Sequence, residues 1–485
     1  SILTLFRICF ESVTYVWLLF YSCKQVNIAH YWIFINFFFC MFRGRMGRSY
    51  FVDEAVGEYL SGLQAAPGSC VTGLLAGQRD FVVLAVQTPH RESEGQLKAP
   101  KGVSPLDDID VEWVTEHAKQ VSRMLPGGLC VLGLFLVTPP ELSKDAQNGL
   151  KRLIFAVEKY IIKGRLWELS EEDVTDRVTL HICSKTKKLL CKTFDVKDPK
   201  SSAKPADWKY QTGISSSWPM LTCSVEVDLQ IPVTGSSSDN TDKCMKDGLR
   251  RWAKQIEAAY CLINGRQALD DSELISGQVK TLHCLSMSQE QSELGERSSA
   301  LVQVCSGSMR VRGVVHCRAY IHNNKPKARH AAQAIKRDII NTVCSRVEMF
   351  LEDLCINEGS QKGLCSGQQA LPRRVFAPMP ISGLSVCDYM FPDESTADVA
   401  ERLKEMLDCE TPEEDIDTSL ENNQLFSIIS GFEITDSQDD DSSKHVSEIQ
   451  AENPKIQKPP KYYAGVALAA AIALLATATS LLYFS

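Results

Sequence analysis

The 485-residue chain has no C-x-x-C pair, although it holds 18 cysteines scattered from Cys9 to Cys409. That excludes a zinc knuckle and a dithiol redox motif, which need paired spacing. Scattered single cysteines fit a reduced, cytosol-facing protein. No G-x-S-x-G elbow occurs, and neither Gly127-Gly128 nor the SGS of Ser306–Ser308 sits in the strand-to-helix context, with a Lys, that a phosphate loop requires. Both read as turn chemistry. There is no basic stripe with interleaved aromatics, so no nucleic-acid partner is expected. His283-Cys284 and His316-Cys317 are neighbours in sequence only. Adjacent strand residues point to opposite faces, which leaves buried cysteines and satisfied histidines rather than catalytic pairs.

The longest charge-free run is at the end. Between Ala464 and Phe484 no residue is charged, and eight of the 21 are Val, Leu, Ile or Phe. As a helix at about 1.5 Å per residue this run spans roughly 31 Å, close to a hydrocarbon core. The eight contribute about −2 to −5 kcal/mol toward insertion, and Thr477, Thr479 and Ser480 offset part of it. Residues 462–485 are therefore expected to form a transmembrane helix in the lipid bilayer. Lys455, Lys458 and Lys461 precede it and no base follows, so the positive-inside rule faces the body to the cytosol, as in a tail-anchored protein. Gly465, Ala469 and Ala473 form a small-residue stripe of the kind that takes a partner helix, though an Ala-rich span produces such stripes by chance.

The net charge of −8 is unevenly placed. Between Glu410 and Glu452 there are 13 Asp or Glu against one Lys, so the remainder of the chain is slightly basic, near +4. Residues 410–461 read as an acidic disordered linker, too polar to bury a core. As a flexible coil its roughly 50 residues reach about 40 Å on average. Residues 1–45 stand apart. They hold 8 of the 19 Phe and lack an initial Met. Arg7, Glu11 and Lys24 interrupt the apolar runs, and no small-residue cleavage site follows. One or two membrane segments and a signal sequence are readings of this leader. The favoured one is an upstream extension, with Met46 as the start.

From Met46 the composition is globular. Glu54–Leu63 reads as a helix, and SCVTGLLAGQ and DFVVLAVQTP as strands across a tight turn. Val114, Ala118, Val121 and Leu125 mark a helix that Pro126-Gly127-Gly128 ends. LCVLGLFLV is a buried strand, Ala146 to Ile161 a long helix, and Val178–Val196 a hairpin. Residues 46–197 thus form an α/β sandwich, with 198–210 as a connection. A second α/β body, 198–409, is expected from the strand Ser224–Val233, a helix over Leu249–Ile263, and two strands around a Gly/Ser turn in Leu301–His322. A long helix with Ile335, Ile339, Val343, Val347 and Phe350 on one side follows, then a strand at Leu384–Phe391 and a helix at Ala397–Leu407. The fold class is α/β (α+β), in two bodies.

The pattern GLLAG, helix, GLFLVTPP resembles the JAMM/MPN fold of zinc-dependent deubiquitinases and their inactive relatives. An unrelated α/β sandwich is the alternative. In active members a Glu precedes the Gly-Leu-Leu-like stretch, and two His alternate along a strand as G-x-x-H-x-H-P, so both point to one face. With an Asp from the next helix they hold zinc, and the Glu takes the proton from its water. Here Cys70 stands near the Glu position, Leu136 and Thr138 stand where the His would be, and Pro139 is kept. The helix positions fall on Ala146 and Gly149, with Asp145 off register. The resemblance therefore implies a pseudo-enzyme domain with no catalytic, metal or cofactor residues.

MGRSYFVDEAVGEYL, VEWVTEHAKQVSRMLPGG, RVTLHICSKTKKLLCKTFDVKDPKSSAKPADWKYQ and RAYIHNNKPKARHAAQAIKRDIINTV resemble the odorant response abnormal protein 4 family. That resemblance implies a non-catalytic endoplasmic reticulum membrane adaptor with a cytosolic body. Its implied partners are the cysteine protease of the ubiquitin-fold modifier system, which it recruits and stabilises, and multi-pass receptors, whose folding and trafficking it supports. A receptor-export chaperone acting by direct cargo contact is the alternative. A zinc isopeptidase is the enzyme-class rival.

Overall fold

In the computed structural model the described residues are 48–432, apart from 66–68, 92–105, 107–108, 171–172, 235–237, 268, 275–279, 286–304, 306, 323, 358–366, 380–381 and 422–425. The leader 1–45, the acidic stretch beyond 432 and the apolar run 462–485 lie outside them. No helix among the described residues is long and apolar enough to cross a membrane.

The first body is built from β1 (Arg48–Asp53), α1 (Glu54–Gly62), β2 (Val71–Gln78), β3 (Phe81–Gln87), α2 (Val111–Met124), β4 (Cys130–Thr138), α3 (Ala146–Gly164), β5 (Asp176–Cys183), β6 (Leu189–Asp195) and β7 (Lys204–Gln211). Its seven strands close into a barrel in the order β1-β3-β2-β4-β5-β6-β7. β7 returns parallel to β1, with Phe51 opposite Lys209. The segment 198–210, expected to be a connection, thus contains the strand that closes the barrel. Most of β7 is exposed; its alternation of Ala206, Trp208 and Tyr210 is short, and of the three only Ala206 and Trp208 pack against the barrel core.

β4 explains why LCVLGLFLV is continuously apolar. Phe135 and Val137 join one core with Tyr50, Val56 and Leu60. Leu134 and Leu136 join a second core with Val114 and Val121 of α2 and Leu150 and Ile154 of α3. A strand covered on both faces has no polar side. Gly133 is a steric requirement here, because a Cβ would lie 1.8 Å from the Val178 carbonyl oxygen on β5. α1 begins where Asp53, in extended backbone, accepts from the Ala55 N–H, while its other oxygen takes the Ile214 N–H at 3.2 Å.

The second body contains β8 (Met220–Val233), α4 (Ser238–Ala258), β9 (Tyr260–Ile263), β10 (Arg266–Gln267), β11 (Lys280–Leu285), β12 (Gly307–Tyr320), α5 (Ala328–Asn357), β13 (Gly367–Ala370), β14 (Arg373–Pro378), β15 (Ser385–Met390), α6 (Thr396–Leu407) and β16 (Ser427–Phe432). The main sheet runs β10-β9-β11-β8-β12-β16-β13. α5 lays Ile335, Ile339, Val343, Val347 and Phe350 on it, as their spacing predicts. The expected helix over Leu249–Ile263 ends at Ala258, and YCLI becomes β9, an apolar run too short to assign by period. The Gly/Ser turn expected within Leu301–His322 instead stands where β12 begins, and one strand of 14 residues follows.

β15 and α6, the strand and helix expected to complete the second body, are joined by β14, which the sequence reading did not include. They pack on the first instead. Val375, Ala377, Val386, Met390, Val399, Leu403 and Leu407 belong to the same core as α2 and α3. The chain beyond Glu410, expected to be wholly disordered, contains a helical turn at Glu413–Asp415, the buried Glu421 and the strand β16. Ile416, Phe426 and Ile428 are buried there.

Two buried ion pairs tie this returning segment to α5. Arg374 is 1% exposed and forks onto Asp338, also 1% exposed, at 2.6 and 2.9 Å. Burial works against the Arg374 charge, but Asp338 outweighs it and holds the guanidinium well above its usual pKa. Arg346, 0% exposed, reaches Glu421 at 2.6 and 2.8 Å. Each carboxylate also takes backbone N–H groups: Asp338 from Arg318 (3.1 Å), Glu421 from Arg374 (2.8 Å) and His316 (3.0 Å). Arg346 leaves Nε and Nη1 without hydrogen-bond acceptors. The Phe426 ring, 4.8 Å from its guanidinium carbon, supplies a cation–π contact instead.

The two bodies also join through backbone. Pro126-Gly127-Gly128 ends α2 and then pairs with β12: the Gly127 N–H donates to Arg318 O and the Tyr320 N–H to Gly127 O, both at 2.9 Å. Gly128 has φ +84°, and a Cβ there would meet Tyr320 O at 2.1 Å. Gln78 bridges the seam, donating to Gly128 O and Tyr320 O at 2.9 Å and accepting from the His322 N–H at 2.6 Å.

Asp338→Asn leaves Arg374 buried without its counter-charge, so urea unfolding is expected to show a loss of about 3–5 kcal/mol. An unchanged midpoint would contradict this ion-pair assignment. Burial also lowers His117 to about 4. Its Nε2–H donates to Met406 O at 2.9 Å, which ties α2 to α6 as a neutral imidazole. The unfolded ring titrates near 6.5, so this stability is complete above pH 6.5 and drains away as pH falls toward 4, by about 3 kcal/mol. His117→Gln is expected to flatten that part of a pH-stability curve.

Candidate functional site

The structure brings the three positions singled out by the zinc-protease pattern to one end of the barrel. Leu136 pairs with Thr72 on β2 and with His181 on β5, and Thr138 lies beside Cys183. Cys70 immediately precedes β2 and packs against the same core as Leu136. Leu136 and Thr138, two apart on a strand, project to the side that α3 covers.

The space between them is filled. Leu136 and Thr138 are both fully buried. Thr138 Oγ1 is hydrogen-bonded to His181 Nε2 at 2.8 Å, and burial depresses the pKa of that imidazole. At the helix positions, Ala146 is buried, and a Cβ on Gly149 would stand 3.9 Å from Leu106 Cδ2, the side chain that closes over it. Asp145 is exposed at the start of α3 and makes no capping bond. Cys70 is half-buried, and desolvation raises its thiol pKa, which disfavours the thiolate a metal needs. One leucine, one threonine, one alanine and one glycine offer zinc no donor set. Among the described residues no group of three or more His, Cys, Asp or Glu is arranged to hold a metal.

His316 and Cys317 diverge as adjacent strand residues must. Cys317 is buried opposite Cys223 in the sheet core, while His316 Nδ1 lies 2.7 Å from Ser224 Oγ. His283 and Cys284 lie on β11, in register with Leu262 and Cys261.

A different site lies at the seam between the bodies, in a cleft of about 420 Å³. Arg79 enters from the β2–β3 turn; His322, Lys325 and Lys327 from the loop after β12; Arg329 and His330 from the first turn of α5. His322 is 5% exposed and its ring packs on Phe81 with centroids 5.3 Å apart. Burial lowers its pKa to about 4, and the charge of Arg79 adds to the shift. Arg79 Nη2 lies 3.1 Å from His330 Nε2, a contact that requires this nitrogen to accept. Reasoning from sequence missed this cleft. HNNKPKARH is visibly basic, but nothing in the sequence links it to Arg79, more than 240 residues earlier.

This is a mixed α/β protein of two interlocked bodies. Residues 73–418 match the family model "Odorant response abnormal 4-like". The proteins named "Protein odr-4 homolog" of Mus musculus and Homo sapiens are each 46% identical to it, over 91% of this chain and 100% of theirs. "Odorant response abnormal protein 4" of Caenorhabditis elegans is 20% identical over 70% of this chain and 71% of its own. The chain belongs to the odorant response abnormal 4-like family. The solved structure "UfSP from C.elegans" aligns with a TM-score of 0.39 at 8% identity, over 75% of this chain and 57% of that one, too low to define a shared fold.

Thr138→Ala strands the buried His181 Nε2 and is expected to cost about 1–3 kcal/mol in chemical unfolding. If its stability equals that of the parent protein, the Thr138–His181 bond does not hold this end of the barrel together.

Proposed function

We propose that the protein is a non-catalytic adaptor with its body on the cytosolic face of the endoplasmic reticulum, held there by residues 462–485. Its barrel is read as an MPN-like pseudo-enzyme domain. The observation that carries this reading is the occupied zinc position: Leu136, Thr138, Ala146 and Leu106 pack where active relatives would open a pocket. With no donor set in that place, the useful property of the domain is its surface. The partner implied by the resemblance is the cysteine protease of the ubiquitin-fold modifier system, recruited and stabilised by the adaptor. Tethering raises the local concentration of the protease at the membrane and needs no chemistry from this chain. Support for folding and trafficking of multi-pass receptors belongs to the same reading.

The relatives' name, odorant response abnormal, favours a second reading: receptor export by direct contact with cargo. Affinity purification of the full chain, and of a form ending at Lys461, separates the two. The adaptor reading predicts the protease in near-equal amount with both forms, but membrane association of the protease with the full chain only. Recovery of receptors or export machinery without the protease would overturn it in favour of the cargo reading.

A further inference from the structure

We propose that the seam cleft binds a phosphate-monoester ligand, independently of any protease or receptor contact. Four basic side chains, Arg79, Lys325, Lys327 and Arg329, line it with a single carboxylate, Asp80. That carboxylate faces Arg48, which forms an ion pair with it and a second with Asp176 at 3.0 Å. Outside the cleft Asp271 takes Lys327 at 2.8 Å and Arg329 at 3.4 Å, but Asp271 is itself well exposed to solvent. Its screening is therefore incomplete, and the lining keeps a positive excess.

Such a convergence of like charge has an electrostatic cost that a bound anion would remove. The cations come from three separate elements of two bodies, so they approach the space from different directions. One carboxylate offers two oxygens in a plane and suits a single guanidinium fork. A phosphate monoester offers three terminal oxygens and close to two charges, which matches donors arriving from several sides. The amides at the start of α5 are already used: Ala328 donates to Ser272 O at 2.9 Å, Arg329 to Asp270 O at 3.1 Å and His330 to Lys327 O at 3.1 Å. The helix therefore adds only its dipole, and the side chains make the contacts. At about 420 Å³ the cleft has room for more than the phosphate group, and Phe81, packed at a tilt against His322, provides an apolar wall for the rest of the molecule.

Two sources of such a group fit, a soluble phosphorylated polyol and a phosphoinositide headgroup at a membrane surface. The test is made on the full chain in detergent for soluble probes, and reconstituted for vesicles. Isothermal titration uses inositol 1,4,5-trisphosphate, with citrate as a polycarboxylate control. Flotation compares phosphatidylcholine vesicles doped with phosphatidylinositol 4,5-bisphosphate or, at matched charge, with phosphatidylserine. Arg79 and Lys325 hold left-handed backbone, φ +54° and +51°. Asn tolerates that conformation, so Arg79→Asn and Lys325→Asn remove the charges without added strain. Both variants are checked by thermal melting.

The expected result is saturable trisphosphate binding that weakens ~10-fold or more in each variant and falls steeply with salt. Additional capture by the phosphoinositide vesicles, lost in the variants, assigns the lipid source; trisphosphate binding without that capture assigns the soluble one. Absence of saturable binding to either phosphate probe would overturn the proposal. So would equal binding of citrate or of phosphatidylserine vesicles, or binding unchanged in variants that melt like the parent protein.

Discussion

The architecture depends on two arginines kept in the dark. Arg346 and Arg374 are buried with Asp338 and Glu421, and the four side chains come from α5, from the start of β14 and from the chain just before β16. Removing a guanidinium from water is costly, and only a well-made set of acceptors offsets it. Here each carboxylate accepts both a guanidinium and at least one backbone N–H, so the charges are matched only when the returning segment is in place. The pairs thus work as a registry device. They oppose any arrangement in which 371–421 docks elsewhere, because that would leave charges buried and alone.

That constraint determines what the rest of the molecule can be. β14, β15 and α6 begin beside the second body and finish on the core of the first, so neither core is complete without the other. The Gly127-Gly128 seam adds backbone pairing across the same junction, and Gln78 fastens the β2–β3 turn to His322. This places Arg79 next to His330 and forms the basic cleft. The cleft is a consequence of how the bodies interlock, whereas Leu136 and Thr138 are packed between the barrel wall and α3. One is the core of a single body, the other a surface that two bodies build together.

Much of this was legible in the sequence, and the failures share a cause. The stripes on α2, α3 and α5 follow from helical spacing, and the apolar continuity of β4 announced a strand covered on both faces. The alternation in G-x-x-x-x-x-P correctly put Leu136 and Thr138 on one side. β7 escaped because its residues are mostly exposed and its partner β1 lies some 150 residues away. The buried positions beyond Glu410 escaped because composition averages over a window: thirteen acids outweighed Ile416, Phe426 and Ile428. Glu421 counted there as linker charge, yet it is a buried ion-pair partner. No local pattern distinguishes a carboxylate bound for solvent from one bound for Arg346. The same holds for Arg79, whose neighbours in the cleft come from the far end of β12.

The most direct test of the central claim is native-state hydrogen exchange across the full chain, read peptide by peptide. If the buried arginine pairs lock the bodies into one unit, the amides of β14 and β15 should open with the same free energy, and the same denaturant dependence, as those of β4 and of the β8–β12 pair. If β14, β15 and α6 instead exchange through an opening of much lower free energy while both sheets stay protected, the returning segment is a loosely docked appendage and the account is wrong.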